Sequence, residues 1–267
     1  MLGQHSSIFS GLETYWFDLN WKNKTNVISR ARRRILEMLE DQLDILEYYF
    51  SLSPEISTQL KARAHSPESY LGMLMAYCSK RAGKPRWLEK TPGNILHLPR
   101  ILSHWPEAQC IHIIRSPLDV FASNKKGPTP RRHPDHFIET WIEFMKEIET
   151  VKNQGILTPA NFMTVSYKRL VTDTVAVIRE VLDFLNEPFE SAAAEFHGNK
   201  HDFEAVLAKT GQQNTTLKRM CTPLSTSRLG IWKQIVTKEE IEYFEARIEE
   251  ASLSDVWREQ VSQEGAD

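Results

Sequence analysis

Residues 109–123 hold the side chains in this sequence that are best suited to bind an anion. An apolar stretch predicted to be a strand ends at Arg115, and Ser116 then begins a predicted helix that carries Ser123 about two turns later. Ser116 is a favourable N-cap residue, and Asp119 stands where a capping box places its acid. A fixed positive charge, helical N–H groups and a hydroxyl would therefore meet in one place. The alternative is an ordinary strand-to-helix turn with a surface arginine.

Strands and helices alternate along the central part of the chain. Predicted strands cover residues 86–88, 109–114 and 161–167. Predicted helices cover residues 27–50, 66–83, 95–102, 134–152 and 172–185. This alternation predicts an α/β fold of three layers around a central, mostly parallel sheet. We expect one domain over residues 1–267.

Three ligand-capable residues follow the predicted strands. Lys90, Arg115 and Tyr167 each lie at or just past a strand's carboxyl end. Ligands of open parallel sheets bind beyond those ends. The pattern therefore predicts a pocket for a phosphate-bearing ligand with an aromatic base, although Tyr167 could instead be a buried strand residue.

The last third of the chain is more polar, and residues 189–236 are expected to form a lid or loop region. Near its end, Arg228 and Lys233 flank Gly230 and Trp232. A mobile segment carrying these two cations could close over a bound anion. A plain surface loop is the alternative interpretation.

The bulk composition excludes several classes of protein. The 267 residues are 41% hydrophobic and 25% charged, which is typical of globular proteins, and the net charge of −2 gives no general attraction to nucleic acid. No apolar run is long enough to span a membrane, and the sequence has no signal-peptide pattern. The three cysteines form no disulfide pattern, so we expect a cytoplasmic protein. No His/Cys cluster has the spacing of metal ligands.

Several motifs together resemble those of the sulfotransferase family, whose members take the sulfuryl group from 3′-phosphoadenosine 5′-phosphosulfate (PAPS). The similar segments are residues 11–14, 89–94, 113–123, 165–171 and 230–233. Their order and spacing agree with the family from about residue 1 to residue 245. The resemblance implies the sulfotransferase fold, which is related to that of the P-loop NTPases.

The resemblance assigns the nucleotide contacts. Arg115 and Ser123 match the arginine and serine that hold the 3′-phosphate, and Tyr167 matches the tyrosine near the adenine. Gly230 and Trp232 belong to the segment that folds over the nucleotide. The cations Arg228 and Lys233 of the same segment are predicted to contribute to nucleotide binding.

The resemblance also assigns the chemistry of transfer. Lys90 matches the lysine that neutralises negative charge on the leaving group. Glu13 matches the glutamate that serves tyrosylprotein-type members as the base. His133 and His136 are weaker candidates for the base, and no metal is required.

One family feature has no counterpart in the sequence. Family members begin with a strand and a Pro-Arg-Ser-Gly-Thr-Thr type loop that cradles the 5′-phosphosulfate, whereas residues 1–8 resemble the helix end that follows this loop. We therefore expect a fold without its first strand and loop. A start assigned too late, a truncated paralogue or a member rebuilt for another purpose would each explain it. The unpaired sheet edges would favour association into a homodimer.

These observations lead to two principal hypotheses of function. The first is transfer of a sulfuryl group from PAPS to a hydroxyl or amine of a small molecule, carbohydrate or peptide. The second is a catalytically inactive homologue that binds a 3′-phosphoadenosine nucleotide or a protein partner. A nucleotide kinase is disfavoured because no Walker-type loop occurs.

Overall fold

The computed structural model describes residues 1–17, 46–47, 49–125, 133–195 and 223–265. These residues form two compact units. The first contains Met1–His97 with Glu190–Pro223, and the second contains Leu98–Phe189 with Leu224–Asp267. Most of the predicted helix over residues 27–50 and much of the predicted lid lie outside the described residues.

The first unit is built on a parallel pair of short strands. Strand β1 (Ile8–Ser10) pairs with β2 (Arg86–Leu88). Helices α1 (Pro54–Arg63) and α2 (Pro67–Arg81) lie between them in the chain, and a 3-10 helix (Pro92–His97) follows β2. The predicted cap of α2 is confirmed, since Ser66 and Ser69 form a capping box.

The core of the first unit is centred on a buried aromatic pair. The indole of Trp16 stacks on the ring of Tyr70, with the ring centroids 5.3 Å apart and the planes inclined by 15°. The Trp16 indole nitrogen also donates a hydrogen bond of 3.0 Å to the Pro67 carbonyl. Because Trp16 lies three residues beyond Glu13, this packing anchors the segment that carries the predicted base.

The second unit is built on another parallel pair. Strand β3 (Cys110–Ile114) pairs with β4 (Phe162–Ser166) along its whole length. The helices of this unit are α3 (Leu98–His104), α4 (Pro117–Lys125), α5 (Pro134–Asn153), α6 (Tyr167–Thr172), α7 (Thr174–Phe184), α9 (Lys238–Glu250) and α10 (Ser254–Gly265). The short helix α8 (Ser191–Ala194) belongs to the first unit.

The core of the second unit is aromatic. The rings of Phe121, Phe137 and Phe244 are mutually in contact, with centroids 4.9 to 5.5 Å apart. The Trp257 ring extends this cluster to Trp141, which it meets edge-on at 5.2 Å. Packing of Phe121 in this cluster fixes α4, the helix that carries Ser123.

The predicted α/β class with parallel strands is confirmed. Strand β1 was not predicted, since residues 1–8 were compared with the end of a helix. The helix predicted over residues 172–185 is observed as α7, which begins after the capping residue Asp173, whereas the short helix α6 before it was not predicted. Among the described residues, no helix has the length and apolar character that a membrane span requires.

Candidate functional site

Parallel pairing of β3 and β4 brings Arg115 and Tyr167 together. The register places Ile114 beside Ser166, so the residues that follow these two strands leave at the same edge. The Arg115 guanidinium carbon lies 4.8 Å from the centroid of the Tyr167 ring. Tyr167 is not a strand residue, because Ser166 caps α6 and makes Tyr167 its first residue. The tyrosine is half-buried and offers its ring face to a cation.

The Arg115 guanidinium is well buried and only partly hydrogen-bonded. One terminal nitrogen donates to the Arg228 carbonyl at 2.5 Å, while only 16% of the side chain is exposed. Its Nε is buried and has no hydrogen-bond partner, and the same is true of the Ser116 hydroxyl next to it in the chain. Buried polar groups are nearly always paired, so these two neighbouring donors are open to a ligand or to water.

The second unit also brings Ser123 and Arg228 together. The Arg228 guanidinium donates to the Ser123 hydroxyl at 3.2 Å. Arg228 belongs to a segment that we call the arm, residues 226–234, which contains the 3-10 helices Thr226–Arg228 and Ile231–Gln234. Four residues assigned separately to nucleotide binding thus form one connected cluster: Arg115, Ser123, Tyr167 and Arg228.

The buried carboxylate of Asp119 holds the arm in place. Its two oxygens accept hydrogen bonds from the backbone N–H groups of Gly230 (2.7 Å) and Trp232 (2.9 Å). The predicted capping box of Ser116 and Asp119 is therefore wrong, because the carboxylate is directed to the arm and the Ser116 hydroxyl makes no hydrogen bond. Lys233 is exposed, and its backbone N–H donates to the Gly230 carbonyl.

In the first unit, parallel pairing brings together Lys90 and Glu13. Ser10 of β1 lies beside Leu88 of β2, so residues 11–14 and 89–91 leave the pair at the same edge. The Lys90 ammonium forms an ion pair with Glu13 Oε1, and the Tyr15 hydroxyl donates to Glu13 Oε2. The two predicted catalytic residues are thus in direct contact.

Both members of this ion pair are accessible to a ligand. Exposed surface amounts to 65% of the Lys90 side chain and 28% of the Glu13 side chain. Loss of water around the Lys90 ammonium lowers its pKa below the ordinary lysine value, even though much of the side chain is exposed. An accessible ammonium beside an accessible carboxylate can stabilise a developing negative charge and accept a proton.

Two contributors to these sites escaped the sequence-based assignment. Glu89 accepts hydrogen bonds from the segments that carry both Glu13 and Lys90, and Tyr15 contacts the candidate base. Glu89 was visible only as part of the Glu-Lys-Thr motif. The weaker base candidates His133 and His136 are both exposed. Within the described parts of the chain, no group of three or more His, Cys, Asp or Glu side chains could hold a metal ion.

Comparisons with known proteins identify the family and the fold. The model of the Sulfotransferase family matches residues 1–191. The sulfotransferase domain from the Synechococcus PCC 7002 olefin synthase has a similar fold, with a TM-score of 0.59 and 19% identity over 92% of this chain and 87% of that one. The sulfotransferase domain from the curacin biosynthetic pathway gives a TM-score of 0.58 at 19% identity, over 93% of this chain and 90% of that one.

A curated relative adds similarity in sequence. An uncharacterized protein of Aquifex aeolicus (strain VF5) is 29% identical over 130 residues, which are 47% of this chain. The match spans 17% of the length of that relative.

Proposed function

Because this chain belongs to the sulfotransferase family, we propose that it transfers a sulfuryl group from PAPS to a hydroxyl or amine acceptor. The acceptor would be a small molecule, a carbohydrate or a peptide. The observation that carries the proposal is the Arg115 guanidinium, which keeps a buried, unpaired Nε within a cluster of other anion-binding side chains. This environment favours a phosphate.

The second unit supplies the proposed nucleotide contacts. Arg115 offers a planar, permanently charged group to the 3′-phosphate, and Ser123 adds a hydroxyl donor. Arg228 already donates to Ser123, so it can share the same anion. The exposed part of the Tyr167 ring provides a flat apolar surface suited to adenine. The backbone of Gly230 and Trp232 keeps the arm beside this cluster.

The first unit supplies the proposed chemistry of transfer. The acceptor oxygen or nitrogen bonds to sulfur while the bond between sulfur and the leaving phosphate oxygen breaks. Glu13 takes the acceptor's proton, and the Lys90 ammonium stabilises the charge that develops on the leaving oxygen. Glu13 Oε2 already accepts a hydrogen bond from the Tyr15 hydroxyl, so a hydroxyl can be held at this carboxylate oxygen.

Titration calorimetry with adenosine 3′,5′-bisphosphate tests the nucleotide site. We expect Arg115→Ala to weaken binding by about 10- to 150-fold, which corresponds to the loss of one charge-assisted hydrogen bond. Arg169→Ala is the matched control, because Arg169 lies in the same unit but forms an exposed ion pair with Glu180. Unchanged affinity in Arg115→Ala would overturn the proposed site.

A transfer assay with radiolabelled PAPS tests the reaction. The acceptors are one phenol, one primary alcohol, one hexose and one primary amine. We expect labelled product from at least one acceptor, and Glu13→Gln and Lys90→Ala should lower kcat while nucleotide affinity is retained. Nucleotide binding without any transfer would instead favour the inactive binding homologue.

A further inference from the structure

Glu89 contacts the chain segments that carry both proposed catalytic residues, although no described hydrogen bond joins its side chain to Glu13 or to the Lys90 ammonium. It directly precedes Lys90 in the chain and follows strand β2. Its carboxylate accepts hydrogen bonds from three residues on two separate segments: Thr14, Thr91 and Asn94. The number of donors gathered on one side chain makes it the centre of a network.

The segment that carries the base is fixed through Thr14. Glu89 Oε1 accepts from the Thr14 backbone N–H at 3.2 Å and from the Thr14 hydroxyl at 2.9 Å. Thr14 is the neighbour of Glu13 in the chain and is 5% exposed. The same hydroxyl accepts the backbone N–H of Trp16 at 3.2 Å, which extends the network to the buried aromatic core.

The segment that carries the ammonium is fixed through Thr91. The Thr91 hydroxyl donates to Glu89 Oε1 at 2.7 Å and accepts the backbone N–H of Tyr15 at 3.1 Å. Asn94 donates to Glu89 Oε2 from the start of the 3-10 helix. Hydrogen bonds from one carboxylate therefore hold the neighbours of both Glu13 and Lys90.

We propose that Glu89 is a positioning residue that keeps Glu13 and Lys90 in register for the transfer step. This inference rests on the proposed function and deepens it. Since both Glu89 oxygens are occupied by protein donors, the Lys90 ammonium pairs with Glu13 and not with its own neighbour. Correct placement of two reacting groups contributes strongly to rate, and a displacement of 1 Å can cost about 100-fold.

The environment of Asn94 predicts that Glu89→Gln keeps most of the network. The side-chain oxygen of Asn94 is buried and has no hydrogen-bond partner. In Glu89→Gln, the remaining carbonyl oxygen can keep the three Oε1 contacts. The new amide group can donate to the Asn94 side-chain oxygen once the Asn94 amide has rotated by about half a turn. Glu89→Ala removes every contact. We expect kcat to be highest for the wild type, lower for Glu89→Gln and lowest for Glu89→Ala.

The experiment measures kcat, KM for PAPS and affinity for adenosine 3′,5′-bisphosphate in these variants. We expect Glu89→Ala to lower kcat on the order of 100-fold while nucleotide affinity is kept, and Glu89→Gln to recover a large part of the loss. Glu47→Ala is the matched control: Glu47 lies in the same unit, pairs with Ser57 and Lys61, and makes no described hydrogen bond to this network.

A second pair of variants covers the case in which Glu89→Ala does not fold. Thr14→Val removes the donor hydroxyl with little change of shape, whereas Thr14→Ser keeps it. We expect a lower kcat for Thr14→Val only. Equal kcat in wild type and in Glu89→Ala or Thr14→Val would overturn the positioning role. A wild-type protein that neither binds the nucleotide nor transfers sulfate would instead overturn the proposed function.

Discussion

Replacing Asp119 by asparagine should weaken the attachment of the arm, residues 226–234, to helix α4. The Asp119 carboxylate is completely buried, and its two oxygens accept the backbone N–H groups of Gly230 and Trp232. An asparagine of the same shape has only one side-chain oxygen. One of the two N–H groups would then face an amide NH₂ group and lose its acceptor.

The geometry sets the expected size of this effect. A hydrogen bond to a charged group contributes about 1.5–3 kcal/mol, and Asp119 has no exposed surface through which water could replace it. The free energy that holds the arm should fall by about this amount. At about 1.4 kcal/mol for each factor of ten, local opening becomes about 10- to 150-fold more frequent.

Amide hydrogen exchange measures this opening directly. The amides of Gly230 and Trp232 should exchange faster in Asp119→Asn by the factor given above, at fixed pH and temperature. Asp135→Asn is the control, because Asp135 lies in the same unit but is exposed and accepts only from the Tyr243 hydroxyl in the described contacts. Unchanged exchange of both amides in a folded Asp119→Asn protein would refute the role of this carboxylate.

Two further predictions concern the backbone conformation of Gly230 and the protonation of His112. Gly230 and Gly83 have φ angles of +70° and +69° and open space around the position of a Cβ. Alanine at either site should lower the free energy of unfolding by about 1 kcal/mol, measured by thermal unfolding. Only Gly230→Ala should also weaken the binding of adenosine 3′,5′-bisphosphate in calorimetry. Burial, with a smaller contribution from the Lys152 charge, lowers the pKa of His112 from 6.5 to about 4. Between these pH values the folded protein binds fewer protons at His112 than the unfolded protein does, so its stability falls as the pH falls through this range. The unfolding free energy of wild type minus that of His112→Gln, measured in urea, should decrease from pH 6.5 to pH 4, and a constant difference would contradict this.

The sequence predicted local features well and tertiary partners poorly. Strands at residues 86–88, 110–114 and 162–166 and the cap of α2 follow from apolar runs and from Ser-Pro signals, which act over a few residues. Asp119 shows where local sequence patterns fail to predict a residue's role. Its spacing from Ser116 fits a capping box, but its hydrogen-bond partners lie 111 and 113 residues away, where no local pattern can reveal them.

Tyr167 illustrates a second limit. Its aromatic side chain and its place after an apolar run are typical of a strand, yet Ser166 caps a helix at this point. The hydroxyl of Ser166 accepts the backbone N–H of Arg169, and this capping contact marks the start of α6. The predicted closeness of Tyr167 to Arg115 is nevertheless found, because it depends on the strand register and not on the residue's own conformation.

Each unit places an acid close in sequence to the cation proposed to act on the substrate, and in each unit that acid is occupied by other donors. The Asp119 oxygens are taken by the arm's N–H groups, so the Arg115 guanidinium approaches no nearer than 3.9 Å. The Glu89 oxygens are taken by Thr14, Thr91 and Asn94. A carboxylate engaged in this way positions a backbone segment without a direct hydrogen bond to the adjacent cation. The Arg115 guanidinium therefore keeps an Nε without a protein partner, which is the group that we propose an anionic ligand would use, and the Lys90 ammonium pairs with Glu13.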